Sequence, residues 1–151
     1  MKSDLYKKIF IATDGSEQNK KAVQHALEFA KTCGAKLYAG YVVDTAAFAS
    51  IPMDAGWEMM YELLQKEANE ITSSVGENAQ KEGIPFEAVI LEGHPGTEIV
   101  DFANKQDIDL IIMGTLGKRG LDHFLLGSVA ENVIRNSSVP VLVVRGRSGK
   151  E

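Results

Sequence analysis

Short apolar runs alternate with longer amphipathic segments along almost the whole chain. Such alternation is typical of βαβ units, which build a parallel sheet with helices on both faces. Five runs are predicted as strands, over residues 8–13, 36–43, 86–92, 108–113 and 139–145. The sequence therefore predicts an α/β fold with an open five-stranded parallel sheet.

The make-up of each run indicates its position in the sheet. Strands one and four are the most continuously apolar, as expected of strands buried on both faces at the centre. Strand three is interrupted by Glu87 and Glu92, and strand five contains Pro140, which cannot donate a ladder hydrogen bond. Both features favour edge positions. With strands one and four as central neighbours, the strand order is 3-2-1-4-5.

Apolar residues at helical spacing predict the helices. Val23, Leu27 and Ala30 form the apolar stripe of helix one. The stripe of helix two is longer and consists of Met60, Leu64, Ala68, Ile71 and Val75. Helix three opens at residues 95–97, and Ser128 with Glu131 predicts a capping box that opens helix four. Residues 45–57 have no clean period and are predicted to be a surface excursion, with no role assigned.

Composition limits the class of protein. The 151 residues fit one domain, residues 1–151, of which 146–151 are predicted to be a frayed tail. A net charge of −5 argues against a nucleic-acid-binding protein, which needs clustered basic residues. Cys33 is the single cysteine, so an internal disulfide is excluded. Because no run of ~18 apolar residues occurs, no membrane segment is expected. We expect a cytoplasmic protein.

A glycine-rich segment follows strand four and contains Gly114, Gly117, Gly127 and Ser128. Glycine lets backbone N–H groups approach an anion closely, and a helix that begins near Ser128 adds further donors. The pattern is compatible with a phosphate-binding loop and also with plain turns. Lys118 lies inside the segment, where it is either a phosphate ligand or an exposed charge.

Polar residues follow strands one and two, whose carboxyl ends share the ligand-binding edge of such a sheet. Strand one ends at Thr13 and is followed by Asp14, and strand two ends in Val42 and Val43 and is followed by Asp44. Asp14 suits a ribose hydroxyl or a divalent cation, or it caps helix one together with Ser16. A carboxylate at this point moves any phosphate towards the strand-four side. No P-loop motif follows any strand.

In this order of motifs the chain resembles the universal stress proteins over essentially its whole length. The resemblance rests on the segments 8–16, 42–44, 93–95 and 109–114, on the glycine string at 114, 117, 127 and 128, and on the segment 138–144. It implies a Rossmann-like, adenine nucleotide alpha hydrolase-like fold. The complete glycine string is that of the ATP-binding members of the family.

Roles for individual residues come from the same resemblance. It implies a backbone contact from Val42 to adenine, with Asp14 near the ribose or a bound Mg²⁺ or Mn²⁺ and Thr13 beside it. It implies that Met113 and Gly114 shape the floor of the site. The implied phosphate contacts are Gly117, Lys118, Gly127, Ser128 and Val129. Tyr41 is a departure, since many relatives carry histidine there.

Strand five ends in a flat apolar segment, Val141, Leu142, Val143 and Val144. A bare apolar edge invites uncontrolled pairing, so it should be covered. The resemblance implies that it pairs with its own copy in a two-fold homodimer.

These observations predict an ATP-binding regulatory protein whose glycine loop changes the surface offered to an unidentified protein partner. No catalytic residue is assigned. Two alternatives remain open at this point: a slow ATP hydrolase or nucleotidyl-transfer enzyme, and a dimeric scaffold that binds no nucleotide.

Overall fold

The computed structural model describes residues 3–48, 52, 55–115 and 127–146. Its strands are β1 (Lys8–Thr13), β2 (Lys36–Val43), β3 (Phe86–Glu92), β4 (Leu110–Gly114) and β5 (Val141–Val144). Its α-helices are α1 (Glu17–Cys33), α2 (Ala55–Lys81), α3 (Pro95–Lys105) and α4 (Ser128–Asn136). A short 3-10 helix, Thr45–Phe48, follows β2.

The strands form one parallel sheet in the order β3-β2-β1-β4-β5. The predicted order is thus confirmed, with β1 at the centre and with β3 and β5 at the edges. Pro140 stands just before β5, and its carbonyl accepts a hydrogen bond from the Ile111 N–H at 3.0 Å. The carbonyl of Pro140 therefore joins the hydrogen bonding of the sheet, and its missing N–H falls just before the strand begins.

Two strands are shorter at their start than predicted. β4 begins at Leu110, because the Ile108 N–H donates to the Ala103 carbonyl at 2.9 Å and so closes the end of α3. β5 begins at Val141, because the Val139 N–H donates to the Ser137 hydroxyl at 3.0 Å in a tight turn. Both strands were predicted to begin two residues too early, because the residues before them are partly apolar although their peptide groups form turns.

The helices cover both faces of the sheet, and each face has its own core. Beneath α1 and α2 the buried core includes Ile9, Ile11, Ala22, Ala26, Ala30, Leu37, Val75, Ala79 and Ile112. Beneath α3 and α4 it includes Phe10, Tyr38, Ile99, Val100, Ala103, Ile111, Met113 and Val133. Alternate residues of β1 thus contribute to opposite faces, as a central strand requires.

The buried face of α1 is centred one residue away from the predicted stripe. Ala22, Ala26 and Ala30 are buried, whereas Val23 and Leu27 are only partly buried at its side. Alanines let the helix axis approach the sheet closely, and the larger side chains then pack at the flank. Periodicity located the helix correctly but gave too much weight to residue size.

The predicted capping box of α4 is wrong. The N-cap is Gly127, no side chain caps this helix, and Ser128 is its first helical residue. The Glu131 N–H donates instead to the Gly127 carbonyl at 2.9 Å, which is the first backbone bond of the helix. Ser128 is exposed. Its hydroxyl is therefore not used as the cap that the sequence suggested.

The remaining predictions concern the connections and the end of the chain. The surface excursion predicted for residues 45–57 includes the 3-10 helix and the first residues of α2. Gly146, the first residue of the predicted tail, is buried, and its N–H donates to the Thr115 hydroxyl at 3.3 Å. Residues 147–151 lie outside the described part of the chain. None of the helices that the structure describes is long and apolar enough to span a membrane.

The centre of the sheet leaves no room for a side chain at Gly40, and this makes a testable prediction. A Cβ atom there would lie 2.2 Å from Cζ of Phe10, whose ring is completely buried. We expect Gly40→Ala to lower the free energy of unfolding by about 1–3 kcal/mol, because the ring cannot move without strain. Urea unfolding followed by circular dichroism measures the loss.

Phe10→Leu supplies the control for this prediction. Alone it destabilises by leaving a cavity, but it also removes the atoms that a Cβ at Gly40 would meet. The double variant should therefore lose clearly less than the sum of the two single losses. If the loss in the double variant equals the sum of the two single losses within about 0.5 kcal/mol, contact with the Phe10 ring is not what excludes a side chain at position 40.

Candidate functional site

The carboxyl end of β1 lies in a crevice between longer neighbours. Pairing of β1 with β2 ends at Thr13 opposite Tyr41, while β2 stays paired with β3 as far as Val43. On the other side, β4 continues beside β5 as far as Gly114, beyond the last residue that it pairs with β1, Ile112. A ligand in an open parallel sheet binds at such a place, where the connections leave in opposite directions.

The peptide groups of β2 alternate between its two neighbours. The Lys36 N–H donates to Lys7, on the β1 side, and the Leu37 N–H donates to Pro85, on the β3 side. Even-numbered residues of β2 therefore face β1, and Val42 is one of them. Because β1 ends opposite Tyr41, the Val42 carbonyl lies beyond the last β1 residue and faces the crevice.

The same alternation orients β4 on the opposite wall. The N–H groups of Ile111 and Thr115 donate to the carbonyls of Pro140 and Val144, on the β5 side. Gly114 therefore faces β1 and the crevice. Met113 is buried in the core beneath α3 and α4, so it supports the floor from below.

The N-terminus of α4 is tied to this wall. The Gly127 N–H donates to the Thr115 carbonyl at 2.6 Å, which places the start of α4 directly beside the end of β4. The first backbone bond within the helix starts at Glu131, so the N–H groups of residues 128–130 precede the helical ladder. Ser128 and Val129 thus present backbone donors at this end of the sheet, next to the positive end of the helix dipole.

Gly127 does not need to be glycine for conformational reasons. Its φ of −61° and ψ of 151° are open to every residue type. Glycine is itself a favoured N-cap residue, and it also lets another group approach the backbone closely. The second property suits an anion at the start of α4.

Asp14 is oriented by the turn that follows β1. Its Oδ1 accepts hydrogen bonds from the Ser16 N–H at 2.8 Å and from the Ser16 hydroxyl at 2.7 Å. Ser16 is the N-cap of α1 and accepts a bond from the Asn19 N–H at 3.2 Å. The capping alternative is thus correct for Ser16. It does not exclude a ligand at Asp14, because a carboxylate offers about four acceptor positions.

Two buried polar side chains fix the end of β1. The Thr13 hydroxyl donates to the Gly40 carbonyl at 2.8 Å, and the Asn19 amide donates to the Ala12 carbonyl at 3.0 Å. Both residues are almost fully buried. Sequence reasoning missed Asn19. The available signal was a polar residue on the same helical face as Ala22 and Ala26.

Helix α2 packs against the β1–α1 turn from the side. Gly15 has a φ of +78°, and a Cβ there would lie 2.5 Å from Cδ1 of Ile71. The positive φ therefore favours glycine, and any side chain there would also require Cδ1 of Ile71 to move. The Tyr41 hydroxyl donates to Glu67 Oε2 at 2.7 Å, so the residue that departs from the family pattern holds α2 to β2.

A second tie joins α2 to the end of β3. The Tyr61 hydroxyl donates to Glu92, and Gln65 donates to the same carboxylate oxygen at 2.9 Å. The bond to Glu92 raises the pKa of the Tyr61 hydroxyl, with burial and the negative charge acting in the same direction. Trp57 stacks on Tyr61, with ring centroids 5.5 Å apart.

The residues that would hold a metal can be tested against the structure. Within residues 3–48, 52, 55–115 and 127–146, no group of three or more His, Cys, Asp and Glu side chains is placed to bind a metal ion. Asp14 would then be a single protein ligand. That fits Mg²⁺ or Mn²⁺ bound together with phosphate, because such ions take one or two carboxylates and complete their shell with phosphate oxygens and water.

The structure therefore brings together seven of the predicted residues at one crevice, and an eighth supports its floor. Those around the crevice are Thr13, Asp14, Val42, Gly114, Gly127, Ser128 and Val129. Met113 is the buried support. Gly117 and Lys118 lie outside the described residues.

Comparison with known proteins gives a consistent result. A model of the universal stress protein family matches residues 5–145. The chain is 49% identical to universal stress protein MJ0531 of Methanocaldococcus jannaschii over 142 residues, covering 94% of this chain and 84% of that protein. The structure of MJ0577, from the same organism, matches with a TM-score of 0.85 at 33% identity and covers 96% of this chain and 99% of that one.

Two further structures were solved with nucleotides. A universal stress protein in complex with cAMP has a TM-score of 0.70, covering 95% of this chain and 100% of that chain. One from Archaeoglobus fulgidus in complex with dAMP has a TM-score of 0.69, covering 93% and 98%. Each is 26% identical to this chain. The fold is thus Rossmann-like, and on the extent of these matches the chain belongs to the universal stress protein family.

Proposed function

We propose that the protein binds ATP, together with Mg²⁺ or Mn²⁺, in the crevice above β1 and acts as a homodimeric regulatory module. The observation that carries the proposal is the convergence of three features: the Val42 carbonyl, the Asp14 carboxylate and the N-terminus of α4. Support also comes from the relatives that were solved with cAMP and dAMP, both adenine nucleotides.

The Val42 carbonyl supplies the preference for adenine. In the crevice it is an acceptor, and the exocyclic amine of adenine is a donor in the matching position. Guanine carries a carbonyl oxygen at that position, so two acceptors would meet and one would stay unpaired. A buried unpaired acceptor costs about 1–3 kcal/mol. The backbone alone can therefore discriminate ATP from GTP.

The phosphates belong on the β4 side of the crevice. Asp14 repels them from the β1 turn, whereas the start of α4 offers N–H groups and the positive end of its dipole. Gly117 and Lys118 contribute to the same contact in the proposed complex. Asp14 is left to the ribose hydroxyls or to the cation between phosphate oxygens.

The second part of the proposal is a dimer through β5. Pro140 and Val144 accept bonds from β4, so Leu142 also faces β4, and the peptide groups of Val141 and Val143 face away from the sheet. An edge of this kind pairs with a second copy in an antiparallel arrangement. We place the module in the cytoplasm, where a free thiol such as Cys33 stays reduced. It would present its nucleotide-dependent surface to a protein partner there.

The nucleotide proposal predicts stabilisation by ligand. At about a hundredfold excess over the dissociation constant, Mg²⁺-ATP should add ~2.7 kcal/mol, which raises the melting temperature by about 5–10 °C. GTP should give a clearly smaller shift, since the Val42 carbonyl would meet an acceptor. Thermal unfolding with ATP, ADP and GTP measures these shifts.

Gly127→Val is the variant for the same measurement. The backbone conformation accepts valine, so the free protein should fold, but the side chain would occupy the space of the phosphates. We expect the ATP shift to disappear. Gly83→Ala, in the turn between α2 and β3 with a φ of +72°, should lower stability itself and keep the full ATP shift. If Mg²⁺-ATP does not raise the melting temperature of the wild-type protein, the proposed nucleotide site is wrong.

Asp14→Asn separates the charge of this residue from its structural role. An asparagine oxygen can still accept the bonds from Ser16, so the stability of the free protein should change by less than about 0.5 kcal/mol. We expect Mg²⁺-ATP to bind at least ~10-fold more weakly, a loss of about 1.4 kcal/mol, because the carboxylate charge is lost. Calorimetric titration measures the affinity.

Adenosine and a second variant complete that test. If Asp14 contacts the ribose, adenosine affinity falls with it; if Asp14 holds the cation, only Mg²⁺-ATP affinity falls. Asp101→Asn, on the exposed side of α3, removes the same charge and should leave both affinities unchanged. Unchanged ATP affinity in Asp14→Asn would remove this residue from the site.

The dimer is tested through the backbone of β5. Val143→Pro removes one N–H that faces outward and leaves the bonds to β4 intact. We expect a folded monomer by sedimentation velocity with an unchanged far-ultraviolet spectrum. Val143→Ala keeps the N–H and should remain dimeric. A dimeric proline variant would show that copies pair elsewhere.

A further inference from the structure

Helix α1 buries one amide side chain, that of Asn19, and its other buried residues are all alanines. Asn19 is 6% exposed and lies about one turn before Ala22, which with Ala26 packs against core residues of β1 and β4. A polar side chain in such a place is unfavourable unless it is hydrogen-bonded. The Asn19 Nδ2 atom donates to the Ala12 carbonyl at 3.0 Å. The reason for an amide on this face therefore lies at Ala12.

The Ala12 carbonyl faces β4. On the β2 side of the central strand, the Lys7 carbonyl accepts a hydrogen bond from the Lys36 N–H. On the β4 side, the Lys8 carbonyl accepts one from the Asp109 N–H at 2.8 Å. Peptide groups alternate along a strand, so the even-numbered residues of β1 face β4. Ala12 is the last of these, and its carbonyl is the last acceptor in β1 that β4 could use.

A regular ladder would bring this carbonyl together with Gly114. The last pair between β1 and β4 is Ile11 opposite Ile112. In a parallel ladder the next step, two residues further on, directs the Gly114 N–H to the Ala12 carbonyl. Pairing stops before this step, and it is the Asn19 amide that donates to the carbonyl. A side chain of α1 thus takes the place of a donor from β4.

We propose that Asn19 positions the nucleotide site: it occupies the Ala12 carbonyl, keeps β4 from closing on the end of β1, and leaves the Gly114 N–H to a phosphate oxygen. This inference rests on the proposed function, which places the phosphates on the β4 side of the crevice. An N–H group that is bonded to a strand carbonyl has to give up that bond before it binds phosphate, which lowers the affinity. Asn19 acts on the ligand only through Gly114.

A purely structural role for Asn19 makes a different prediction. If the amide only satisfies the end of β1, Asn19→Ala leaves an acceptor unpaired, which destabilises the protein and speeds up amide hydrogen exchange around it. The positioning role predicts the opposite change at one atom. Once the amide is gone, the Gly114 N–H can donate to Ala12, so its exchange slows although the protein as a whole is less stable.

Amide hydrogen exchange followed by NMR, without nucleotide, distinguishes the two roles. In the wild-type protein the protection factor of Gly114 should be at least ~100-fold below that of Ile112, whose N–H lies within the ladder. In Asn19→Ala it should rise at least ~10-fold. Alanine is the best helix former and matches the rest of this face, so the variant should fold. Equal protection of Gly114 and Ile112 in the wild-type protein, or no rise in the variant, would overturn the proposal.

Calorimetric titration connects the same variant with the ligand. Asn19→Ala should bind Mg²⁺-ATP at least ~10-fold more weakly, because the Gly114 N–H is then held by Ala12. Adenosine, which has no phosphate, should bind within about twofold of its wild-type affinity. An unchanged affinity for Mg²⁺-ATP, or an equal loss for adenosine, would remove Gly114 and the phosphate from the proposed role of Asn19.

Asp109→Ala is the matched control, because it weakens the opposite end of the same two strands. The Asp109 carboxylate accepts bonds from the N–H groups of Lys7 and Lys8, each at 2.9 Å. This variant should lose stability but keep the Mg²⁺-ATP affinity and the low protection of Gly114. If the wild-type protein binds no ATP, the proposed function fails, whereas the exchange measurement still decides whether Asn19 keeps Gly114 out of the ladder.

Discussion

The offset between β1 and its neighbours is the constraint on which the site depends. Because pairing with β1 ends at Tyr41 in β2 and at Ile112 in β4, each neighbour carries peptide groups beyond the end of the central strand. After Thr13 the chain leaves the sheet through Gly15, whose φ is +78°, and Ile71 packs beside this turn. The crevice thus lies where the chain turns from β1 into α1. Backbone groups can recognise a ligand only where the sheet leaves them unpaired.

The groups that shape the crevice also hold the fold together. Asp14 accepts bonds from Ser16, which caps α1, and the Gly127 N–H ties α4 to the end of β4. Such double use keeps donors and acceptors in place before a ligand arrives, so less conformational entropy is lost on binding. It also means that removal of a side chain mixes a loss of binding with a loss of stability. The asparagine at position 14 and the valine at 127 are informative because each preserves the structural part.

The sheet order could be predicted from the sequence, because burial on both faces demands unbroken apolar runs and the edges tolerate Glu87 and Pro140. The site residues on the backbone could be placed through the resemblance alone, since a carbonyl such as that of Val42 leaves no trace in residue type. Sequence patterns within one helix gave wrong predictions where the outcome depends on another part of the structure. Ala22 rather than Val23 faces the sheet because the helix lies close to it, and Ser128 does not cap α4 because the chain enters the helix through Gly127. Asn19 was missed because its partner, the Ala12 carbonyl, is defined only by the tertiary fold.

Helix α2 lies both against the turn beside the crevice and against two strands of the sheet. Ile71 lies against Gly15, and Tyr61 and Glu67 stand nearer the start of the same helix. Contact alone does not couple two sites; coupling requires an element with two arrangements that each ligand favours unequally. The bonds from Tyr41 to Glu67 and from Tyr61 to Glu92 hold α2 in one arrangement against β2 and β3. Movement of α2 on nucleotide binding would therefore have to break these two ties as well as the apolar contacts of the helix with β2 and β3.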